Sequence, residues 1–137
     1  AVNIGKLVGR KKDTCAQGYL LRGRGLKGDA HAGTGRQVSL LAEESVNKIR
    51  EKGLDVAFGD FAENITTEGI DLPRLPIGTK IRIGRALLRI TQIGKECHDR
   101  CRIFFEVGDC VMPREGVFAE VLEEGEIKPG DEIEALP

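Results

Sequence analysis

Residues 79–92 read TKIRIGRALLRITQ, and this stretch decides the fold class. Two short runs, 79–83 and 86–92, alternate apolar residues with Arg and Thr, which is typical of strands with one buried face. They are joined by Gly84-Arg85, a two-residue loop whose leading glycine suits a type II′ turn. The stretch therefore predicts an antiparallel β-hairpin.

Short strands are also predicted along most of the remaining chain. The 18 glycines are spread over the whole sequence and cut it into segments that are mostly too short for helices. Residues 36–41 are typical of a buried strand, and a Lys-Pro-Gly-Asp turn at 128–131 introduces a final strand at 131–136. We therefore expect a mainly β protein, built as a single antiparallel β-barrel in one domain that spans residues 1–137.

One main helix is predicted at residues 42–52. Ala42, Val46 and Ile49 fall on one helical face, and Gly53 stands where a glycine commonly ends a helix. A shorter helical segment is expected within residues 97–106. The barrel should thus carry one main helix and short helical segments.

The composition excludes several classes of function. The 137 residues have a net charge of −1 and only 4% aromatic residues, which disfavours nucleic acid as a partner. No apolar run is long enough to span a membrane, and no signal pattern opens the sequence. We expect a cytoplasmic protein whose cysteines are free thiols, metal ligands or catalytic groups rather than structural disulfides.

A basic, glycine-rich stretch suggests an anion site. Residues 1–36 contain eight Lys or Arg against two Asp, whereas residues 115–137 contain eight acids against one Lys. Within the basic part, residues 23–28 match the GxGxxG pattern, but the following residues are too rich in glycine to open a dinucleotide-binding helix. The cations Arg22, Arg24, Lys27 and Arg36 predict a clamp for a phosphate group, and a flexible surface loop is the alternative.

Three of the four cysteines lie in residues 94–110, GKECHDRCRIFFEVGDC. The candidate zinc ligands of this segment are Cys97, His98, Cys101 and Cys110. A redox pair and a single reactive thiol are the other interpretations, and the flanking Lys95, Arg100 and Arg102 favour a reactive thiolate. His31, in the glycine-rich stretch, is either a ligand or acid/base group or a residue that organises its loop through hydrogen bonds.

Several motifs in a fixed order carry a resemblance. They are GDAHAG (28–33), RQVSLL (36–41), FAENITTEGI (61–70), IGTKIRIG (77–84), CHDRC (97–101) and GDCVMPREGVFAEVLEEGEIKPGDEIE (108–134). Together they resemble the MOSC family, named after the C-terminal domain of molybdenum cofactor sulfurase. Spaced motifs in the right order are more specific than any one of them.

The resemblance implies a β-barrel domain that handles the molybdenum cofactor, a pterin carrying a phosphate, or its sulfur. It places the working cysteine at Cys101, as catalytic residue and molybdenum ligand, with Cys97 as the alternative because three residues rather than two separate the cysteines. The chain lacks the pyridoxal-phosphate domain of the sulfurase. A molybdoenzyme or a sulfur-donating protein is therefore the implied partner, and sulfur transfer or another cofactor-dependent activity is the implied chemistry.

The expected cofactor contacts combine the basic stretch with the motifs of the resemblance. They are Arg22, Arg24, Lys27, Asp29, His31, Arg36, Asn64 and Arg100. A competing hypothesis from another class is a non-catalytic zinc-binding or thiol redox-sensing module that uses the cysteine and histidine cluster.

The sequence predicts that Cys101 is the most reactive thiol. Arg100 and Arg102 are its immediate neighbours, and adjacent positive charge favours the thiolate, which is the nucleophilic form. Alkylation of the folded protein near neutral pH, followed by peptide mapping, should label Cys101 before Cys15. Labelling of Cys101 after all other cysteines would transfer the assignment to Cys97.

Overall fold

The computed structural model describes residues 1–5, 12–30, 32–34, 37–94 and 112–137. The strands in chain order are β1 (Val2–Ile4), β2 (Asp13–Cys15), β3 (Gly18–Leu21), β4 (Gly25–Leu26), β5 (Val38–Ala42), β6 (Ile65–Thr67), β7 (Lys80–Ile83), β8 (Ala86–Ile93), β9 (Val117–Glu123), β10 (Gly125–Ile127) and β11 (Ile133–Ala135). The helices are α1 (Glu43–Arg50), a 3₁₀ helix (Leu72–Arg74) and α2 (Met112–Glu115). The predominance of strands confirms the mainly β fold class.

β7 and β8 form the predicted hairpin. Ile81 lies opposite Leu88, and Ile83 lies opposite Ala86. Gly84 has a φ of +56°, the positive value that the first residue of such a two-residue turn requires. The other edge of β8 pairs with β9, with a register shift between Leu87 and Leu88. This irregularity lies where the two successive leucines interrupt the alternation, and both leucines are buried.

β5 lies at the centre of the larger sheet. Eight strands follow the order β11-β7-β8-β9-β5-β6-β1-β2, and β10-β3-β4 form a second sheet of three strands. β5 pairs antiparallel with β9 and parallel with β6. All five residues of β5 are buried, as expected of a strand covered on both faces.

The two faces of β5 enter two different apolar clusters. Val38 and Leu40 belong to the main core, together with Ile81, Leu88 and other residues of β7, β8 and β9. Leu41 faces the other way and packs in a smaller cluster with Val46, Ile49, Val56, Phe61 and Phe118. Helix α1 thus covers this second face of β5 through Val46 and Ile49.

The expected closed barrel is wrong for the described strands. Among them β11 pairs only with β7 and β2 pairs only with β1, so the larger sheet has two open edges. Turn signals and alternation specify neighbouring strands, but they do not specify whether the first and last strands of a sheet meet. A cavity lined by Ile65 and Ile133 separates β6 from β11.

The main helix is confirmed, with shorter bounds than residues 42–52. Ala42 is still extended, with φ −71° and ψ 141°, and helix α1 ends at Arg50. Val46 and Ile49 are fully buried, as the predicted apolar face requires. Gly53 follows in a left-handed conformation, with φ +94°.

Gly59 provides a test of the packing between the turn at 59–62 and β2. Its φ is +90°, and a Cβ added there would collide with the carbonyl oxygen of Lys12. Gly53 has a similar φ but no atom within 4 Å of an added Cβ. Gly53→Ala should therefore lose only about 1–2 kcal/mol of unfolding free energy from backbone strain, and Gly59→Ala should lose roughly 1–3 kcal/mol more from the collision. Equal losses in urea denaturation of the two variants would contradict this packing.

Candidate functional site

Three cations of the predicted phosphate clamp lie at the end of the hairpin formed by β3 and β4. Arg22 and Arg24 lie in its loop and Lys27 directly follows β4, and together they form the basic hairpin tip. Leu20 lies opposite Leu26, and Leu21 lies opposite Gly25, so residues 22–24 form a three-residue loop. Gly23 occupies the left-handed region with φ +70°, and the Arg24 N–H donates to the Leu21 carbonyl at 3.1 Å. The GxGxxG pattern is therefore a tight hairpin and not the start of a helix.

The side chains of Arg22, Arg24 and Lys27 are exposed on this hairpin. In the described part of the chain none of the three forms an ion pair. Exposed cations without carboxylate partners remain available to an anion, and arginine binds phosphate with paired, charge-assisted hydrogen bonds. The hairpin tip is thus the strongest anion-binding feature among the described residues.

Backbone contacts hold the hairpin tip against the large sheet. The Gly23 N–H donates to the Val121 carbonyl at 3.0 Å, and the Val121 N–H donates to the Gln37 side-chain oxygen at 3.1 Å. Gly25 lies so close to the Gln37 backbone that a Cβ would overlap the Gln37 carbonyl oxygen. The conformation of the loop is therefore set by β9 and by the residue that precedes β5.

A second glycine-rich turn packs on Arg24. The Gly33 N–H donates to the Arg24 carbonyl at 2.7 Å. A Cβ added at Gly33 would lie 3.3 Å from a terminal guanidinium nitrogen of Arg24. The glycine at position 33 leaves room for this side chain, which brings the GDAHAG motif beside the hairpin tip.

Asp29 forms a buried ion pair. Its Oδ1 accepts from the Lys12 ammonium at 2.7 Å and from the Gly5 N–H at 3.0 Å, and both ionic side chains are fully enclosed. Next to it, the Ala30 N–H donates to the Gly5 carbonyl at 2.7 Å. Because a buried charge is costly without its partner, removing either side chain should destabilise the fold by about 3–5 kcal/mol. Asp29 therefore ties the GDAHAG motif to the end of β1.

Asn64 is also completely buried, and its contacts join strands. Its Oδ1 accepts from the Ser39 N–H at 3.0 Å, and its Nδ2 donates to the Asn3 carbonyl at 3.3 Å. Its own carbonyl accepts from the Asn3 N–H at 2.7 Å. These bonds link β5 to β1, whereas contact between Asn64 and a ligand stays a prediction.

Sequence reasoning missed Glu63, which is fully buried beside Asn64. Its carboxyl oxygens accept from the Phe61 N–H at 3.2 Å and from the Thr66 hydroxyl at 3.0 Å. Burial raises the pKa of this carboxyl, and these hydrogen bonds only partly oppose the shift. The sequence signal for a buried carboxyl was that Glu63 and Asn64 stand between the apolar residues Phe61, Ala62 and Ile65.

The predicted thiol site and three of the predicted cofactor contacts lie outside the described residues. The thiol site comprises Cys97 and Cys101 within residues 95–111; the cofactor contacts outside the described residues number three, Arg100 in the same segment, His31 and Arg36. The other candidate zinc ligands, His98 and Cys110, lie there as well. Among the described residues no three His, Cys, Asp or Glu side chains converge as a metal site.

The structure fixes where the cysteine segment joins the sheet. The Gly94 N–H donates to the Gly116 carbonyl at 2.6 Å, so the ends of the 95–111 connection meet between β8 and β9. Glu115, at the end of α2, accepts from Ser45 at 2.8 Å and from Lys48 at 2.7 Å, which binds this end to α1.

The basic hairpin tip contacts β9 at Val121, whereas the cysteine segment joins it near Val117, about 14 Å away along the strand. The connection of residues 95–111 has an extended reach of about 3.3 Å per residue, so its full length is several times the distance to the hairpin tip.

The remaining cysteine, Cys15, lies on β2 as a half-buried free thiol, and its sulfur donates to the Asp13 carbonyl at 3.4 Å.

Comparison with protein families decides the identity of the fold. The sequence profile of the MOSC domain matches residues 27–134, which is most of the chain. The chain belongs to the MOSC domain family. This family is linked to molybdenum cofactor binding or sulfuration. The resemblance inferred from the spaced motifs is thereby confirmed.

Solved structures agree with the MOSC assignment at the level of the fold. The YUAD protein from Bacillus subtilis has 20% identity and a TM-score of 0.78, with 96% of this chain and 91% of that chain covered. YiiM from Geobacillus stearothermophilus has 21% identity and a TM-score of 0.74, with coverages of 99% and 73%. YiiM from Escherichia coli has 22% identity and a TM-score of 0.67, with coverages of 99% and 67%. A search of curated proteins finds no match.

None of the helices described in this MOSC domain has the length and apolar character needed to cross a bilayer.

Glu63 should give this MOSC domain a distinct pH dependence. Because its pKa is raised in the folded state, the native protein holds a proton that the unfolded chain releases above its usual pKa of 4.5. The stabilisation is complete below that value and is lost as the pH rises through the raised pKa, with a limiting slope of about 1.4 kcal/mol per pH unit. Glu63→Gln should therefore gain stability relative to the parent protein as the pH is raised from about 5 to about 8.

Urea denaturation at several pH values measures this difference, with the exposed Glu124→Gln as control. A stability difference between parent and Glu63→Gln that stays constant with pH would show that the buried carboxyl is ionised at every pH tested.

Proposed function

We propose that this MOSC domain binds the molybdenum cofactor, with the phosphate of the pterin held at the basic hairpin tip and with Cys101 as the ligand or sulfur-carrying thiolate. The observation that carries the proposal is the set of exposed cations Arg22, Arg24 and Lys27, which have no ion-pair partner in the described part of the chain. Their charge fits a phosphate group.

The described residues prepare this region for an anion in two ways. The backbone bonds from Gly23 and Gly33 hold the loop, so fewer degrees of freedom are lost when the cations engage a ligand. The ammonium of Lys12 neutralises Asp29, so the carboxylate of the GDAHAG motif presents little net negative charge to an approaching phosphate.

His31 and Arg36 complete the proposed contacts by their places in the sequence. In the sequence His31 is two residues after the buried Asp29, and Arg36 immediately precedes Gln37, whose backbone lies against Gly25. Asn64 contributes by joining β1 to β5 through its side-chain hydrogen bonds, which fixes the strand that leads to Gly5 and Asp29. Arg100 is assigned as the cation next to the working thiol.

Cys101 supplies the proposed sulfur chemistry. When bound, the cofactor provides a molybdenum atom, a centre that accepts soft sulfur ligands. As a carrier, the Cys101 thiolate would attack the terminal sulfur of a persulfide on a sulfur-donating protein, take that sulfur and release the donor's thiolate. Arg100 and Arg102 favour the thiolate form that both roles need. Cys97 is the alternative thiol, and a molybdoenzyme is the proposed recipient.

Arg24→Ala should lower the amount of pterin that the protein retains. Protein purified from cells with an intact cofactor pathway should contain pterin and molybdenum, measured by fluorescence of the oxidised pterin and by elemental analysis. A charge-assisted contact contributes about 1.5–3 kcal/mol, so the variant should bind the cofactor roughly tenfold or more weakly.

Arg74→Ala is the matched control, because Arg74 is an exposed arginine of the 3₁₀ helix, paired with Asp71 and remote from the hairpin in sequence. Equal retention of pterin by the parent and by the combined Arg22, Arg24 and Lys27 variants would contradict the phosphate site. Stoichiometric zinc in place of pterin, lost when Cys97, His98, Cys101 or Cys110 is replaced, would support the metal-binding module instead.

A further inference from the structure

A concave site lies between β6, in the interior of the large sheet, and the edge strand β11. The cavity has a volume of about 660 Å³, within the size range of small-molecule sites. Its walls come from β6 and the residues after it, from the end of β7, from the end of β10 through the following turn into β11, and from Ala1, Val2, Glu43 and Phe58. Its apolar part includes five isoleucines: Ile65, Ile70, Ile83, Ile127 and Ile133.

Acidic side chains surround this apolar part. The lining contains the carboxylates of Glu43, Glu68, Asp131, Glu132 and Glu134 against two ammonium groups, the side chain of Lys128 and the amino terminus at Ala1, so negative charge predominates. In the described part of the chain none of these carboxylates forms an ion pair, although Asp131 accepts from the Lys128 N–H at 3.0 Å. The described carboxylates nowhere converge as a set of metal ligands, so a diffuse negative field and not a coordination site results.

Thr67 provides an independent sign of a ligand in the same cavity. Its side chain is only 4% exposed, and within the described residues its hydroxyl has no hydrogen-bond partner. The hydroxyl of the preceding Thr66 bonds to Glu63 on one face of β6, so Thr67 lies with Ile65 on the face that lines the cavity. A buried hydroxyl without a partner is costly, and a polar ligand atom would supply the missing bond.

We propose that this cavity binds a small organic cation with an apolar body, an amine or guanidine group at one end and a hydrogen-bonding atom at the other. The apolar body contacts the isoleucines, the cation lies among the acidic side chains at the rim, and the polar atom bonds to the Thr67 hydroxyl. Each part of the ligand thus matches one observed part of the wall.

This site is separate from the proposed cofactor site. It shares no residue with the hairpin tip, and its charge is of the opposite sign, so an anionic pterin would be repelled where an amine is attracted. The inference stands without the proposed function, because it uses no residue of the hairpin tip or of the cysteine segment.

A set of matched small molecules tests the inference with the intact protein. Tyramine carries an amine, an aromatic body and a phenol hydroxyl at the far end. Phenethylamine lacks the hydroxyl, tyrosol replaces the amine by an alcohol, and 4-hydroxyphenylacetate carries a negative charge instead. Titrations followed by amide chemical shifts should place tyramine at residues 65–70 and 130–134, with affinity above that of each of the other three probes.

Thr67→Val tests the hydroxyl contact, because valine has nearly the same shape. One neutral hydrogen bond corresponds to about a three- to tenfold change in affinity, so tyramine should lose that factor while phenethylamine should not. This comparison uses two ligands on one protein and is therefore insensitive to small losses of stability.

The surface variant Glu68→Gln/Glu132→Gln keeps the inference testable if Thr67→Val does not fold. It should weaken the binding of both amines severalfold and leave tyrosol unchanged. Glu51→Gln/Glu124→Gln is the matched control, since it changes the net charge equally with exposed residues that do not line the cavity. Equal affinity for all four probes, an undiminished preference of Thr67→Val for tyramine, or shifts confined to residues 22–27 would each overturn the inference.

Discussion

The buried amide of Asn64 is the interaction on which the arrangement of the sheet depends. It joins Ser39 of β5 to Asn3 of β1, so that a parallel and an antiparallel neighbour are held at the start of β6. Glu63 and Thr66 extend this hydrogen-bond network: the Thr66 hydroxyl donates to Glu63 and accepts from the Asn3 side-chain amide at 3.1 Å. A buried polar network of this kind specifies one register, because a slip by one residue would leave several groups without partners.

That network also places the two charged regions of the molecule. On the side of β1 it fixes Gly5, which contacts Asp29 and Ala30 and thereby positions the turn next to the basic hairpin. At the end of β6 it fixes Thr67 and the following Glu68, which belong to the acidic cavity. A nearly neutral chain therefore presents a positive surface on the smaller sheet and a negative surface beside the larger sheet, and each suits a ligand of opposite charge.

The sequence predicted what depends on neighbouring residues. The turn at Gly84, the apolar face of Val46 and Ile49 and the exposed arginines beside Gly23 follow from local geometry, and the structure contains all of them. The partner of Asp29, by contrast, is Lys12, and the partners of Asn64 lie in two other strands. Such contacts join distant parts of the chain, and alternation or turn type carries no information about them. The open edges of the sheet escaped prediction for the same reason.

The acidic edge strand β11 has a further role in how copies of the protein meet. An edge strand offers unpaired backbone groups that can recruit a strand from another molecule, and charged residues beside it oppose this recruitment. Here Glu132 directly precedes β11 and Glu134 lies on it, so two copies approaching edge to edge would bring like charges together. Two of the carboxylates that give the cavity its charge, Glu132 and Glu134, thus also oppose the pairing of β11 with a strand of another molecule.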